Sequence, residues 1–126
     1  MKTIKKKYLI KASIEKVWES LVSPKIIERW GAGPAEMSDK ENAEFKLWGG
    51  DIHGKNTKVI VNRMLVQDWY GGNWEKPSQA IFTLESLGVN TQLSLLHENV
   101  PDKEAKDIDK GWDDYYLGPI KEYLEN

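Results

Sequence analysis

The C-terminal run of the chain constrains the fold most, because it joins a long helical stripe to residues that helices disfavour. Apolar residues recur there every three or four positions, as on one face of an α-helix: Ala105, Ile108, Trp112, Tyr115, Tyr116, Ile120, Tyr123 and Leu124. Gly111, Gly118 and Pro119 interrupt the stripe, although a glycine inside a helix costs about 1 kcal/mol and a proline about 3 kcal/mol. The pattern predicts one helix from about Lys103 to Glu125, bent near Pro119.

Local rules allow a second arrangement for the same run. A first helix ends at Tyr116 or Leu117, Gly118 is its C-cap, and Pro119 opens a short second helix. A continuous bent helix, presenting large rings with polar tips, suits an incompletely filled interior. The choice between the two therefore bears on whether the protein holds a cavity.

Composition excludes several classes of function. The 126 residues are enough for one domain, predicted over residues 1–126, and the formal charge of -2 gives no basis for binding nucleic acid. Without cysteine, neither disulfides nor thiol catalysis is available. No apolar run approaches a membrane span of about 20 residues, and the basic start is followed by too few apolar residues for a signal peptide. A cytoplasmic protein is predicted. Six tryptophans favour a large aromatic core or cavity.

The first third of the chain predicts a strand followed by two short helices. Residues 4–11 alternate as a strand does. Ser13 then caps a helix whose apolar residues lie at helical spacing: Ile14, Val17, Trp18, Leu21 and Val22. Ser23 and Pro24 begin a second helix that continues to Trp30 and stops at Gly31.

The middle of the chain predicts an antiparallel sheet. Strands are expected at residues 36–40, 44–48, 58–61, 64–70, 79–86 and 91–99. Gly49, Gly50 and Gly54 bracket residues 51–53, where tight turns or bulges are expected, with His53 exposed in a loop. The order of elements is that of an α+β domain in which one long helix covers one face of the sheet.

Several segments carry a resemblance to a known family. Residues 111–121, GWDDYYLGPIK, resemble the closing helix of domains homologous to the activator of the heat-shock-protein-90 ATPase. Further matches follow in the family's order: Val17-Trp18, Trp30 before Pro34-Ala35, Gly49-Gly50 with Gly54, Trp69, Trp74, and residues 91–97 leading to Val100-Pro101. The resemblance extends over nearly the whole chain.

The resemblance implies the helix-grip fold of the SRPBCC superfamily, shared with START lipid-transfer domains and the birch pollen allergen. In that fold a curved antiparallel sheet of six to seven strands wraps around a long C-terminal helix, with two short helices after the first strand. Many members hold a hydrophobic cavity between sheet and helix. The eukaryotic activator has a further N-terminal domain that docks on the chaperone, and this sequence begins at the helix-grip unit. A co-chaperone role would therefore rest on the matched part.

Candidate ligand-binding residues are the aromatic side chains predicted near the open end of the sheet, together with one histidine. They are Trp30, Trp48, Trp69, Trp74, His97, Trp112, Tyr115 and Tyr116. His97 shares a strand face with Leu93 and Leu95, so a buried, hydrogen-bonded imidazole is favoured over a general base. No acidic residue lies at metal-ligand spacing from either histidine, and no nucleophile or phosphate motif is found. No catalytic residue, metal or cofactor is predicted.

Three functions are compatible with this pattern. The first is non-enzymatic binding of a small apolar ligand between sheet and helix, oriented by the hydroxyls of Tyr115, Tyr116 and Tyr123 and by His97. The second is a protein-interaction module of the chaperone-activator type. The third is a cyclase-like enzyme with His97 or Asp68 as its acid or base. The ligand and the oligomeric state stay open at this point.

Overall fold

In the computed structural model, which describes residues Met1–Asn126, six strands form one curved antiparallel sheet. The strands pair in the order β1-β6-β5-β4-β3-β2. Their bounds are β1 Lys2–Ile10, β2 Glu44–Leu47, β3 Ile52–Ile60, β4 Met64–Gly71, β5 Ser78–Leu87 and β6 Asn90–Val100. The α+β helix-grip architecture expected from the sequence is confirmed.

The hairpin of β5 and β6 shows how alternation in the sequence sets the buried face. Phe82 pairs with Leu95 and Leu84 with Leu93, and all four side chains are buried. Because side chains alternate between faces, this register places one face of each strand in the core.

Two short helices follow β1 as predicted. Helix α1, Ile14–Val22, begins where the Ser13 hydroxyl accepts a hydrogen bond from the Lys16 N–H at 3.3 Å. Helix α2, Pro24–Trp30, has proline in its first turn and ends at Gly31, whose φ of 116° is left-handed.

The C-terminal run forms one continuous helix over residues 105–125, which we call the C-terminal helix. It comprises α3 (Ala105–Gly111), a π-helical turn (Trp112–Leu117) and α4 (Gly118–Glu125). Gly118 has the right-handed φ of -61°, so the alternative in which it caps a first helix is wrong. The irregularity expected near Pro119 is the π-helical turn directly before it.

The π-helical turn explains the glycine at position 118. The Gly118 N–H donates to the Asp113 carbonyl, the five-residue step of a π-helix. A Cβ at Gly118 would overlap that same carbonyl oxygen. Only glycine fits the turn without moving the backbone.

The region around β2 and β3 differs from the sequence prediction. Residues 36–40 do not form a strand, and Glu36 contributes only an isolated bridge to Lys46. The strand expected to begin at Lys58 begins at Ile52, so His53 is a half-buried strand residue rather than an exposed loop residue. Its Nε2 lies 2.9 Å from the Gly72 carbonyl oxygen, and its ring stacks on Tyr70.

Gly54 lies inside β3 because two strands approach closely there. A Cβ at this position would overlap the carbonyl oxygen of Asp68, its neighbour on β4, and would lie 3.0 Å from the Phe45 ring. The glycine marks a close backbone approach rather than the turn that the sequence suggested.

The C-terminal helix packs its aromatic face across the sheet. Trp112, Tyr116 and Ile120 are buried, with Trp112 only 2% exposed, as the stripe predicts. The Trp112 ring lies 5.4 Å from Trp69 and 5.7 Å from Phe82, measured between centroids. Aromatic rings therefore fill the centre of the space between sheet and helix.

None of the helices combines the length and the apolar character needed to cross a membrane.

Candidate functional site

A groove of about 370 Å³ runs between the first half of the C-terminal helix and the sheet end where β2 and β3 meet. Its volume is within the range of small-molecule sites, about 300–1,000 Å³. Ten residues line it, seven of them hydrophobic: Trp48, Asp51, Ile52, Trp69, Asp107, Ile108, Gly111, Trp112, Tyr115 and Tyr116. We call this feature the groove.

Helical and strand periodicity together place these side chains. Residues 107, 108, 111, 112, 115 and 116 are one side of successive turns of the C-terminal helix. Trp69 reaches the groove from the inner face of β4, and Ile52 from the first position of β3. The remaining wall is the turn between β2 and β3.

Trp48 forms this turn in an unfavourable backbone conformation. Its φ is 50°, in the left-handed region that large side chains avoid, and Gly49 and Gly50 follow with φ of 68° and 110°. Hydrogen bonds hold it there: its N–H donates to the Ala32 carbonyl at 2.9 Å and its Nε1 to the Gly31 carbonyl at 3.0 Å. Such local strain is found most often at functional sites.

Two lining side chains carry buried polar atoms without a hydrogen-bond partner in the chain. They are the hydroxyl of Tyr116 and Nε1 of Trp69, and each residue is 3% exposed. Burial raises the pKa of the Tyr116 hydroxyl, which therefore stays protonated at neutral pH. Unpaired buried polar atoms are rare in native proteins and call for an explanation.

His97 lies behind the groove in a continuous chain of hydrogen bonds that runs from Trp112 to the Trp69 carbonyl. Trp112 Nε1 donates to His97 Nδ1 at 3.0 Å, and His97 Nε2 lies 2.7 Å from the Ser78 hydroxyl. The Ser78 hydroxyl in turn donates to the Trp69 carbonyl at 2.7 Å. Nδ1 must accept, so the proton is on Nε2 and the imidazole is neutral. Burial lowers the pKa of His97 to about 4.

The structure brings together five of the eight residues proposed from the sequence. Trp48, Trp69, Trp112, Tyr115 and Tyr116 line the groove. Tyr115 lies at its outer edge and is 68% exposed.

Trp30, Trp74 and His97 do not line the groove. Trp30 packs 5.0 Å from the Tyr116 ring, between centroids, and its Nε1 donates to the Ser20 carbonyl. Trp74 covers Trp69, with centroids 5.8 Å apart, and donates to the Glu104 carboxylate. All three support the groove from behind or beside it.

Five lining residues were not proposed from the sequence. Ile108 belongs to the apolar stripe, and Gly111 interrupts it, so periodicity alone could have placed both on the groove side. Asp51, Ile52 and Asp107 carried no such signal. They become neighbours of the groove only because the helix crosses this end of the sheet.

The acid or base candidates of the cyclase hypothesis are not at the groove. Asp68 is half-buried on the outer face of β4, because its neighbours Gln67 and Trp69 point into the core. Both ring nitrogens of His97 are occupied by hydrogen bonds. The structure contains no group of three or more His, Asp or Glu side chains placed to hold a metal ion.

Comparison with known proteins gives a family match over most of the chain. The family described as Activator of Hsp90 ATPase homolog 1-like protein matches residues 11–125. The human activator of 90 kDa heat shock protein ATPase homolog 1 is 23% identical over 122 residues, 95% of this chain and 36% of that protein. The chain thus spans about a third of the length of the curated relatives it matches.

Solved structures with the same fold include proteins of similar extent. PFC0360w, an HSP90 activator from Plasmodium falciparum, superposes with a TM-score of 0.89 at 22% identity, covering 98% of this chain and 96% of that chain. The Aha1 dimer from Colwellia psychrerythraea superposes with a TM-score of 0.82 at 24% identity, covering 99% and 97%. At these identities the likeness shows the fold.

Proposed function

From the premise that this chain belongs to the Activator of Hsp90 ATPase homolog 1-like family, we propose that it binds a small apolar molecule in the groove without catalysing a reaction. The observation that carries the proposal is the groove itself: a pocket of about 370 Å³, mostly apolar and walled by five aromatic rings. The groove lies between the sheet and the C-terminal helix, which is where many helix-grip proteins hold a hydrophobic cavity.

Binding would be driven by removal of apolar surface from water. Each Å² of apolar surface buried contributes about 25 cal/mol, before the cost of immobilising the ligand is subtracted. Trp69, Trp112 and Tyr116 are already buried and packed against one another, so their exposed edges form a rigid wall. A preorganised wall loses little conformational entropy on binding.

Two buried polar atoms supply candidate orienting contacts. The Tyr116 hydroxyl and Trp69 Nε1 have no partner in the chain, and both residues line the groove. Both atoms have almost no accessible surface, so a ligand atom reaches either one only after a small side-chain movement. A hydrogen bond made there would satisfy a group that is otherwise buried at a cost of about 1–3 kcal/mol.

The test uses a variant that fills the groove without disturbing the core. Gly111 lines the groove with a helical φ of -62°, and a Cβ there would meet only a Tyr115 ring carbon, at 4.0 Å. In wild-type protein a neutral fluorescent probe such as Nile red should bind saturably. Gly111→Leu should weaken that binding by about tenfold or more, a change of about 1.4 kcal/mol, because the leucine occupies the probe's space.

The matched control is Lys106→Leu, which adds the same side chain at an exposed position of the same helix outside the groove. It should leave probe binding unchanged. Absence of saturable binding by the wild type, or equal binding by Gly111→Leu, would refute the proposal.

A co-chaperone role is the second candidate, and one observation favours it. PFC0360w, described as an HSP90 activator, matches this chain over 96% of its own length, so that description belongs to a protein of similar extent. The curated relatives named as activators are about three times longer than the matched region, so we place this function second.

This role has a direct measurement. Purified chain would be added to purified Hsp90, and the rate of ATP hydrolysis followed over a range of ratios. We expect weak or no stimulation. Robust stimulation that Gly111→Leu preserves would reverse the ranking, because the activity would then not depend on the groove.

A further inference from the structure

The charges at the groove are all of one sign. Asp51 and Asp107 are its only ionisable acids or bases besides the tyrosines, and no lysine, arginine or histidine lines it. They come from separate elements, the turn before β3 and the first turn of the C-terminal helix. Both are exposed, so they lie at the rim rather than in the apolar interior.

These two carboxylates have no partner in the chain. Neither accepts a side-chain hydrogen bond, and neither has a cationic group within 4.0 Å. Several other acids of the same helix do have cationic partners: Asp109 and Asp113 share Lys6, and Asp114 meets Lys110 at 4.0 Å. The groove rim therefore carries two negative charges that no cationic side chain of the groove lining offsets.

The aromatic walls act in the same direction as the carboxylates. A cation placed against the face of a tryptophan or tyrosine ring is attracted by the ring's electrons, with about 0.5–1 kcal/mol at exposed sites. Trp48 and Tyr115 are the less buried rings of the groove, and both stand near its opening. An apolar anion such as a fatty-acid carboxylate finds no countercharge here and meets two uncompensated carboxylates.

We propose that the groove selects apolar molecules that carry a cationic end, such as alkylammonium compounds, over neutral and anionic molecules of the same size. The apolar body would lie against Trp69, Trp112 and Tyr116, and the cationic end between Asp51, Asp107 and the outer rings. This inference rests on the proposed function, since it assigns the ligand class of the same groove.

The test compares three probes that share a decyl chain: decyltrimethylammonium, decanol and decanoate. Binding is measured by calorimetry and by tryptophan fluorescence at low ionic strength, below the concentrations at which the probes aggregate. The ammonium probe should bind about tenfold more tightly than decanoate, with decanol between them. Because the carboxylates are exposed, this preference should shrink as salt is added.

The double variant Asp51→Asn/Asp107→Asn should bring the ammonium probe close to decanol while decanol binding stays unchanged. Asp68→Asn removes one charge from the outer face and should keep the preference. The inference would be overturned if decanoate bound as tightly as the ammonium probe, or if the preference persisted in the double variant. Either result would leave the proposed function standing. Failure of all three probes to bind would overturn both.

Discussion

The indole Nε1 of Trp112, on the C-terminal helix, donates a hydrogen bond of 3.0 Å to Nδ1 of His97, on β6. Both side chains are buried, and their rings meet edge to face with centroids 5.5 Å apart. This contact joins the helix to the sheet behind the groove. It also fixes the protonation state of the imidazole, because a second proton would set an N–H against the indole N–H.

The first prediction is a stability that falls as the solution becomes mildly acidic. The folded pKa of His97, about 4, is lower than the value of about 6.5 in the unfolded chain. Between these values the unfolded state binds more protons, so the free energy of unfolding is highest above pH 6.5 and is lost towards pH 4. The total loss should be about 3 kcal/mol, measured by urea denaturation across this range.

A matched pair of variants assigns the effect. His97→Gln cannot titrate and should give a nearly flat profile between pH 6.5 and 5, where carboxylates contribute little. His53→Gln, the same change at the half-buried histidine of β3, should keep the wild-type slope. A flat wild-type profile would contradict the neutral, buried state of His97.

Sequence periodicity predicted the elements whose contacts are local or regular. The C-terminal helix, helices α1 and α2, and the β5–β6 hairpin all follow from apolar spacing and caps. The structure of the β2–β3 region was not predicted from the sequence, because Gly54 is required by its close contact with β4, a strand that is separate in sequence. Its Cβ would overlap the Asp68 carbonyl, and nothing local distinguishes this glycine from one in a turn.

The aromatic character of the groove was predictable from the sequence, but the full set of residues that line it was not. Aromatic residues near one end of the sheet were expected to line it, and Trp48, Trp69 and Trp112 do. Asp51 and Asp107 lie there because two segments far apart in sequence meet. Trp30 and Trp74 share the residue type but face other neighbours.

The second prediction is that alanine has opposite effects on stability at the two glycines of the C-terminal helix. Gly118→Ala should destabilise the protein by about 1–3 kcal/mol, because its Cβ overlaps the backbone carbonyl of Asp113 and no side-chain movement relieves that. Gly111→Ala should stabilise it by about 0.5–1 kcal/mol, because the space is open and alanine favours the helix. Chemical denaturation measures both. Equal effects of the two substitutions would refute the π-helical turn at Gly118.

The third prediction concerns the tether between β1 and the C-terminal helix. Asp113 accepts hydrogen bonds from Lys6 Nζ at 2.8 Å and from the Tyr8 hydroxyl. Although burial opposes it, these bonds hold the pKa of Asp113 below its ordinary value. Asp113→Asn should lower the free energy of unfolding by about 1–2 kcal/mol, since a charge-assisted contact is lost.

The neighbouring residue is the control for that change. Asp114 meets only Lys110, at 4.0 Å on the surface, so Asp114→Asn should change stability by less than about 0.5 kcal/mol. Urea denaturation of the two variants at one salt concentration decides the matter. A larger loss for Asp114→Asn than for Asp113→Asn would show that the tether does not stabilise the fold.

The fourth prediction tests whether the unpaired hydroxyl of Tyr116 is kept for a ligand. The hydroxyl is buried without a partner, so removing it in Tyr116→Phe should raise the free energy of unfolding by about 1 kcal/mol. The same variant should weaken probes that can accept a hydrogen bond from it, such as decanol, and leave a hydrocarbon probe unaffected. Loss of stability in Tyr116→Phe would show that the hydroxyl is satisfied in solution. Gained stability with unchanged decanol binding would show that the hydroxyl does not contact the ligand.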